Sequence, residues 1–285
     1  DTKRGIKMDV FSWKNFLLPY EYAVEELKIK FKDIRKELKE TDSYSPIEFV
    51  TGRVKKISSI IDKAKRLDVE FEQTKLREQI EDIAGIRIMC QFVEDIYTVV
   101  KYIKNDRFTY YLRKMFDEFE KDYEKDYIEN YKPSGYRSYH VIVKYPVQMV
   151  TGKVDILAEV QIRTLSMNFW ATIEHSLKYK YNHKVPEYLS LKLRNAADSA
   201  FKLDQEMSEI RDEIVNAQVQ FEVKSITVKE ITSNINHLYA LGYPDEAIEY
   251  LKKFEKLDNI RDVMQMIELQ DEIKQRIREI KPNQN

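Results

Sequence analysis

One cysteine, Cys90, is present in the whole chain, so no internal disulfide can form, and its place inside an apolar run fits a reducing compartment. Six glycines and seven prolines are few for 285 residues, which excludes a loop-rich or low-complexity chain and favours long regular elements. No apolar run is long enough to cross a membrane and the N-terminal stretch has no signal-peptide pattern, so the expectation is a cytoplasmic protein without a membrane partner. Nor is there an excess of one charge: 48 basic against 49 acidic residues leave a formal net charge of -1. A chain without a global field does not attract nucleic acid as a whole, so any anion site must be local. The length allows one large domain or two modest ones with a substantial core.

What is present is clearest at 154–164, VDILAEVQIRT. Ile156, Ala158, Val160 and Ile162 alternate with Asp155, Leu157, Glu159, Gln161 and Arg163, the period of a β-strand with one face for a core and the other for water or a ligand. A carboxylate, an amide and a guanidinium on one strand face fit a solvated edge as well as a site. From Thr164 the spacing of Phe169, Trp170, Ile173, Leu177 and Tyr181 turns helical, with polar Asn168 near its start.

Upstream, residues 11–38 read as a helix through Phe16, Ala23, Leu27, Phe31, Ile34 and Leu38. Lys28, Lys32 and Arg35 line another side among Glu21, Glu25 and Glu26, the usual pattern of a solvated face. Ile47 and Phe49 around Glu48, then Thr51-Gly52, predict a short strand in preference to a capping box at Ser45. Arg53, Lys55, Lys56, Ser58 and Ser59 then gather at the start of a helix running to about Leu67, where free N–H groups and the helix dipole favour an anion. The Gly-rich spacing of a P-loop is missing.

A polar linker leads to a second, almost continuously apolar strand over 82–92, with Asp82 and Arg87 flanking its entrance. Helices are expected over 93–103 and 108–120, a small strand over 123–128 and a turn at Lys132-Pro133-Ser134-Gly135. The next strand, 136–145, sets Tyr139, Val141 and Val143 against His140, Ile142 and Lys144. Thr151-Gly152-Lys153 closes a hairpin into 154–164, which brings Tyr136 and His140 beside Glu159 and Gln161. A long charged helical region over 185–217 is expected to pack through Leu191, Leu203, Met207 and Ile210. Residues 221–285 read as about three more helices, one starting near Pro244-Asp245.

Four separated segments, TGRVKKISSI, EDIAGIRIMCQF, KPSGYRSYHVIV and EVQIRTLSMNFWATIEHSLKYKY, follow the order and spacing of the synthetase domain of the RelA/SpoT superfamily. With IEFVTGRVK, MNFWATIEHSL and EMSEIR, the chain resembles the small alarmone synthetases of the RelQ type over roughly residues 11–218. It departs at 107–123, which is longer and more helical than in the family, and from Phe221 onward. No His-Asp dipeptide occurs, so the hydrolase domain of the long family members is expected to be absent.

The fold this resemblance implies is α+β, a nucleotidyltransferase-like mixed sheet of about five strands flanked by helices over residues 8–220, with an appended helical module over 221–285; periodicity alone stops at α+β. The activity implied is transfer of the β,γ-pyrophosphate of ATP to the 3′-hydroxyl of GDP or GTP, releasing AMP, with Mg²⁺ as cofactor and without hydrolysis of the product. By motif, the resemblance places Arg53, Lys55 and Ser59 on the ATP phosphates and Arg87, with Arg66, on adenine. It makes Asp82 and Glu159 the catalytic pair and the Mg²⁺ ligands, with Glu159 also taking the 3′-hydroxyl proton. Tyr136 stacks on guanine, while Lys132, His140, Gln161, Asn168, Glu174 and His175 surround the acceptor nucleotide. The resemblance further implies a homo-oligomer, a tetramer, in which Lys28, Lys32, Arg35, Phe49 and Thr51 bind pppGpp as an effector. Two alternatives stay open: a superfamily member that pyrophosphorylates adenosine nucleotides or tRNA, and a non-catalytic regulator that binds nucleotide or single-stranded RNA.

Overall fold

The two apolar strands lie side by side. In this computed structural model, which describes residues 10–41, 44–104, 123–180, 185–257 and 263–280, β2 (Ala84–Cys90) pairs in parallel with β5 (Gly152–Thr164). The strand β1 (Phe49–Val54) adds antiparallel to β2, and β4 (Tyr139–Met149) followed by the short β3 (Glu124–Asp126) adds on the other side of β5. The resulting mixed sheet has the order β1-β2-β5-β4-β3. The central position of β2 explains why its sequence is apolar almost throughout. The helix expected over 108–120 lies outside the described residues.

Alternate residues of the central strands form one core with two helices. Ile86, Ile88, Val160, Ile162 and Val141 pack with Phe16, Tyr20, Val24, Leu27 and Phe31 of α1 (Val10–Glu40) and with Ile96, Val99 and Ile103 of α4 (Val93–Lys104). A Cβ on Gly52 would lie 2.8 Å from Val24 Cγ1 and 2.9 Å from Lys28 Cδ, so this glycine lets α1 cross β1 closely. The polar face of the sheet is thereby left for chemistry.

Several boundaries differ from those expected. The strand β1 starts at Phe49, after a turn in which Ser45 Oγ accepts the Ile47 N–H at 3.3 Å, and it continues through Gly52 to Val54 before α2 (Ile57–Arg66). The polar linker contains a further helix, α3 (Gln73–Gln79), anchored by the fully buried Leu76. The strand expected from Tyr136 starts at Tyr139, because Gly135 takes φ +88° and residues 136–138 stay in the loop. The end of β5 runs directly into α5 (Leu165–Lys180), capped by Thr164, whose Oγ1 accepts the Met167 N–H at 3.1 Å. On α5 the buried side is Met167, Trp170 and Ala171, whereas Phe169 and Ile173 are 70% and 43% exposed.

The largest correction concerns α6 (Glu187–Ala240), which runs unbroken past residue 217. Leu191, Leu203, Met207 and Ile210 do not make its packing face; all four are exposed. The buried side is instead Ala197, which packs on Trp170 and Ala171 of α5, Asp204, which accepts from Thr164 and Ser166 where β5 runs into α5, and Ser208, which donates to Glu94 of α4. Trp170 Nε1 donates to the Leu193 carbonyl at 2.7 Å across the same contact.

The chain divides into two compact units within α6, the first ending at Ser208 and the second beginning at Glu209. The second unit has its own core, in which Ile231, Ile235 and Leu238 meet Ala247 of α7 (Pro244–Glu255) and Met266, Leu269, Ile273 and Ile277 of α8 (Val263–Ile280). The helix α6 ends where Gly242 takes φ +92° and the Tyr243 N–H reaches back to the Leu238 carbonyl, after which Pro244 opens α7.

Candidate active site

Strand register builds the site. Thr51, Arg87, Gln161 and His140 lie in one row across β1, β2, β5 and β4, with Arg53, Gly85, Glu159 and Ile142 in the next. A cleft opens over these rows, lined by Thr51, Gly52, Arg53, Lys55, Asp82, Gly85, Ile86, Arg87, Glu159 and Gln161. Residues far apart in the chain thus meet because alternate strand positions share a face.

Asp82 stands just before β2 and is gripped by two ammonium groups, Lys55 at 2.6 Å and Lys63 of α2 at 2.8 Å. Burial pushes its carboxyl up, but the two lysines outweigh burial and hold it below the ordinary aspartate value. Glu159 behaves alike: burial raises it, and hydrogen bonds from His140 Nδ1 at 2.9 Å and Gln161 Nε2 at 2.7 Å bring it below the usual range. Burial lowers Arg87, and the charges of Arg163 and Arg53 lower it further. Guanidinium groups that disfavour one another's charge in a cleft are relieved when an anion enters.

The wall beside Glu159 is aromatic. The Tyr136 hydroxyl lies 2.9 Å from His140 Nε2, and Tyr127 stands edge-on to the His140 ring at 5.1 Å. Lys132 Nζ sits over the rings of Tyr127 and Tyr136 at 4.4 and 4.9 Å. Tyr136 also packs against the cluster of Trp170, Ala171 and Ala197, so α5 and α6 support this wall from behind.

Other expected residues are dispersed. Ser59 lies in the first turn of α2, on the same helical face as Lys63, while Arg66 is exposed at the end of that helix and does not line the cleft. Asn168 is half-buried in the first turn of α5. Glu174 is buried, paired with Lys178, and lines a separate groove of about 510 Å³ with Ser134, Tyr188 and Arg194; His175 is exposed and lines neither. Lys32, Arg35 and Phe49 share another groove, of about 460 Å³, with Lys36 and Lys39. Lys28 pairs with Glu25 at 2.8 Å, and Thr51 faces the cleft.

Two site residues, Lys63 and Tyr127, escaped the sequence reading, and Arg163 entered it only as the guanidinium of a strand face, without a role in the site. Lys63 follows Ser59 at one-turn spacing and Arg163 shares strand parity with Glu159, so both left a signal. For Tyr127 periodicity offers none.

The donor set fits a magnesium ion. Asp82 and Glu159 line one cleft, and the Asp82 charge acts on Glu159. No group of three or more His, Cys, Asp or Glu side chains suited to a metal occurs among the described residues. Two carboxylates are what Mg²⁺ requires of a protein when substrate phosphates complete its shell.

Comparison with known proteins assigns the family. The pattern described as the region found in RelA / SpoT proteins matches residues 52–184. The chain is 50% identical over 217 residues to the GTP pyrophosphokinase YjbM of Bacillus subtilis (strain 168), covering 76% of this chain and 97% of that one. It belongs to the RelA/SpoT family, among the small alarmone synthetases. Solved members of the family superpose on it: the small alarmone synthetase 1 from Bacillus subtilis bound to its product pppGpp has a TM-score of 0.63 at 48% identity, over 72% of this chain and 99% of that chain. The same enzyme bound to AMPCPP has a TM-score of 0.58 at 46% identity, over 72% and 98%. The five-stranded mixed sheet with flanking helices is therefore the alarmone synthetase architecture.

Proposed function

We propose that this GTP pyrophosphokinase transfers the β,γ-pyrophosphate of ATP to the 3′-hydroxyl of GDP or GTP in the cleft over β1, β2 and β5. The observation that carries the reading is the meeting of Glu159 and Asp82 in a cleft whose other charged walls are Arg53, Lys55 and Arg87. Arg53 and Lys55 hold the triphosphate, with Ser59 at the start of α2, and the planar guanidinium of Arg87 packs on adenine. Tyr136 offers its ring to guanine, with Lys132 and His140 beside it. Glu159 takes the proton of the 3′-hydroxyl as that oxygen attacks the β-phosphorus; the bond from the β-phosphorus to the α,β-bridging oxygen breaks, and AMP leaves with the electron pair. Asp82 and Glu159 would hold Mg²⁺, which would supply charge stabilisation for the triphosphate. The ligands of the solved relatives, pppGpp and AMPCPP, support both halves of this assignment.

The test is incubation of the purified chain with labelled ATP, Mg²⁺ and GDP, GTP or AMP, followed by chromatography. Labelled ppGpp or pppGpp is expected, and Glu159→Gln should lower the rate on the order of a hundredfold or more, because it removes the proton acceptor. Labelled product from AMP in place of GDP and GTP, or a variant within a few fold of wild type, overturns the reading.

Three finer expectations go with it. The chain acts in the cytoplasm and leaves ppGpp intact. It assembles as a homo-oligomer, a tetramer, consistent with the exposed Leu191, Leu203 and Met207 on the first unit's part of α6. Its effector is pppGpp, received by the groove that gathers Lys32, Arg35 and Phe49.

A further inference from the structure

Glu159 is gripped at both oxygens, His140 Nδ1 donating to Oε1 at 2.9 Å and Gln161 Nε2 to Oε2 at 2.7 Å. Both donors are held from behind by one side chain. Arg163 Nη2 donates to the Tyr136 hydroxyl at 3.0 Å, that hydroxyl lies 2.9 Å from His140 Nε2, and the same Nη2 donates to Gln161 Oε1. Arg163, Tyr136, His140, Glu159 and Gln161 therefore close a ring of hydrogen bonds.

Its polarity follows from chemistry. A guanidinium can only donate and an ionised carboxylate can only accept. Donation from Arg163 to the Tyr136 oxygen leaves the phenolic proton for His140 Nε2, so Nδ1 is the nitrogen that carries a proton, aimed at Glu159. Donation from Arg163, joined by Arg87 Nε at 3.3 Å, into Gln161 Oε1 turns the amide NH₂ towards the other carboxylate oxygen. Arg163 is only 3% exposed, so its charge faces that of Glu159 through neutral groups on both sides instead of through water.

Resting on the function above, we propose that Arg163 and the Tyr136 hydroxyl are positioning groups for the catalytic Glu159, fixing the His140 tautomer and the Gln161 amide so that one lone pair on each carboxylate oxygen is left for the reaction. Tyr136 then has two separable roles: its ring meets the guanine nucleotide and its hydroxyl orders the carboxylate.

Tyr136→Phe separates them, since it keeps the ring and removes the hydroxyl. Loss of an outer partner of this kind lowers activity by about 10- to 100-fold, and the loss should fall on kcat while KM for GDP stays near wild type. Arg163→Lys keeps the charge but replaces a planar fork by a point donor, so the same split is expected. If the buried lysine unfolds the protein, the phenylalanine variant carries the test. Independently of activity, nitrogen-15 NMR of the imidazoles in the nucleotide-free protein, which has four histidines, should show His140 protonated at Nδ1 and displaced from that state in Tyr136→Phe. A His140 protonated at Nε2 alone in the wild type, an unchanged spectrum and rate in the variant, or a raised KM for GDP with kcat intact would each overturn the ring. A wild type that transfers no pyrophosphate would defeat the assigned function instead, and the NMR signature would still judge the ring.

Discussion

Asp82 meets the cleft between two lysines, and it is Lys63 that the sequence did not announce. Both ammonium groups are largely covered, at 22% and 20% side-chain exposure, and both lie within 3 Å of the carboxylate. Without Lys63, burial pulls the Asp82 carboxyl towards its protonated form with Lys55 alone opposing it. A charge-assisted hydrogen bond contributes about 1.5–3 kcal/mol, so Lys63→Met should raise the apparent KM for ATP by roughly tenfold or more. Steady-state rates at varied ATP and fixed GTP measure this; an unchanged KM would mean that Lys63 only covers the surface. Sequence spacing ranked Lys55 above Lys63 because Lys55 stands beside Arg53 and the helix start. The partner of Lys63 comes from another element, and no local pattern records a pairing of that kind.

At the level of elements, the junction of β5 and α5 holds Glu159 and Gln161 upstream and Asn168 downstream, and a single carboxylate on α6 fastens it. Asp204 accepts from Thr164 Oγ1 at 2.6 Å and from Ser166 Oγ at 2.5 Å. Burial pushes the Asp204 carboxyl above its ordinary value, the two hydroxyls oppose this, and the charge of Glu94 on α4 adds to the rise. A carboxyl raised on folding contributes stability that is complete below its unfolded pKa and is lost as pH rises through the folded value. Relative to Asp204→Asn, the wild type should therefore lose stability as pH rises from the unfolded aspartate value of about 4 towards the higher folded value. Urea unfolding followed by tryptophan fluorescence reads this, because both tryptophans, Trp13 and Trp170, belong to the first unit. A difference that stays flat or grows with pH would remove Asp204 from this role. The same junction shows what the sequence could and could not convey. The alternation of Ile156, Ala158, Val160 and Ile162 revealed β5 and its polar face, because a strand with one buried face must alternate. The buried face of α6 was hidden, since Asp204 and Ser208 are polar and a search for large apolar side chains selects Leu203 and Met207, which point outward. The helix α3 was missed for a related reason: QTKLREQ buries one leucine and offers no periodicity.

The whole molecule pairs a family unit with a second helical unit, and their cores share no residue. The relative matched over 97% of its own length accounts for 76% of this chain. Every buried core residue of the second unit lies beyond Gln220, so a chain ending there should keep pyrophosphate transfer within a few fold of the full chain, as the labelled-ATP assay would show. A dead truncation would make residues 221–285 part of the catalytic machinery. Regulation calls for a different test, in which the structure shifts weight from Lys28 to Lys32. Lys28 is held by Glu25 at 2.8 Å, with its stem over Gly52. Lys32 shares a groove with Arg35, Lys36, Lys39 and Phe49, the last 39% exposed. Several cations around an accessible aromatic ring are what a guanine nucleotide with many phosphates would use, through charge at one end and stacking at the other. Thr51 lies in the row of Arg87 and Gln161, so it belongs with the catalytic cleft. Added pppGpp should accordingly stimulate the wild type and Lys28→Ala, while Lys32→Ala keeps its basal rate and loses the response, with light scattering reporting the same tetramer for all three. Stimulation that survives in Lys32→Ala, or that disappears only in Lys28→Ala, would place the effector elsewhere than this groove.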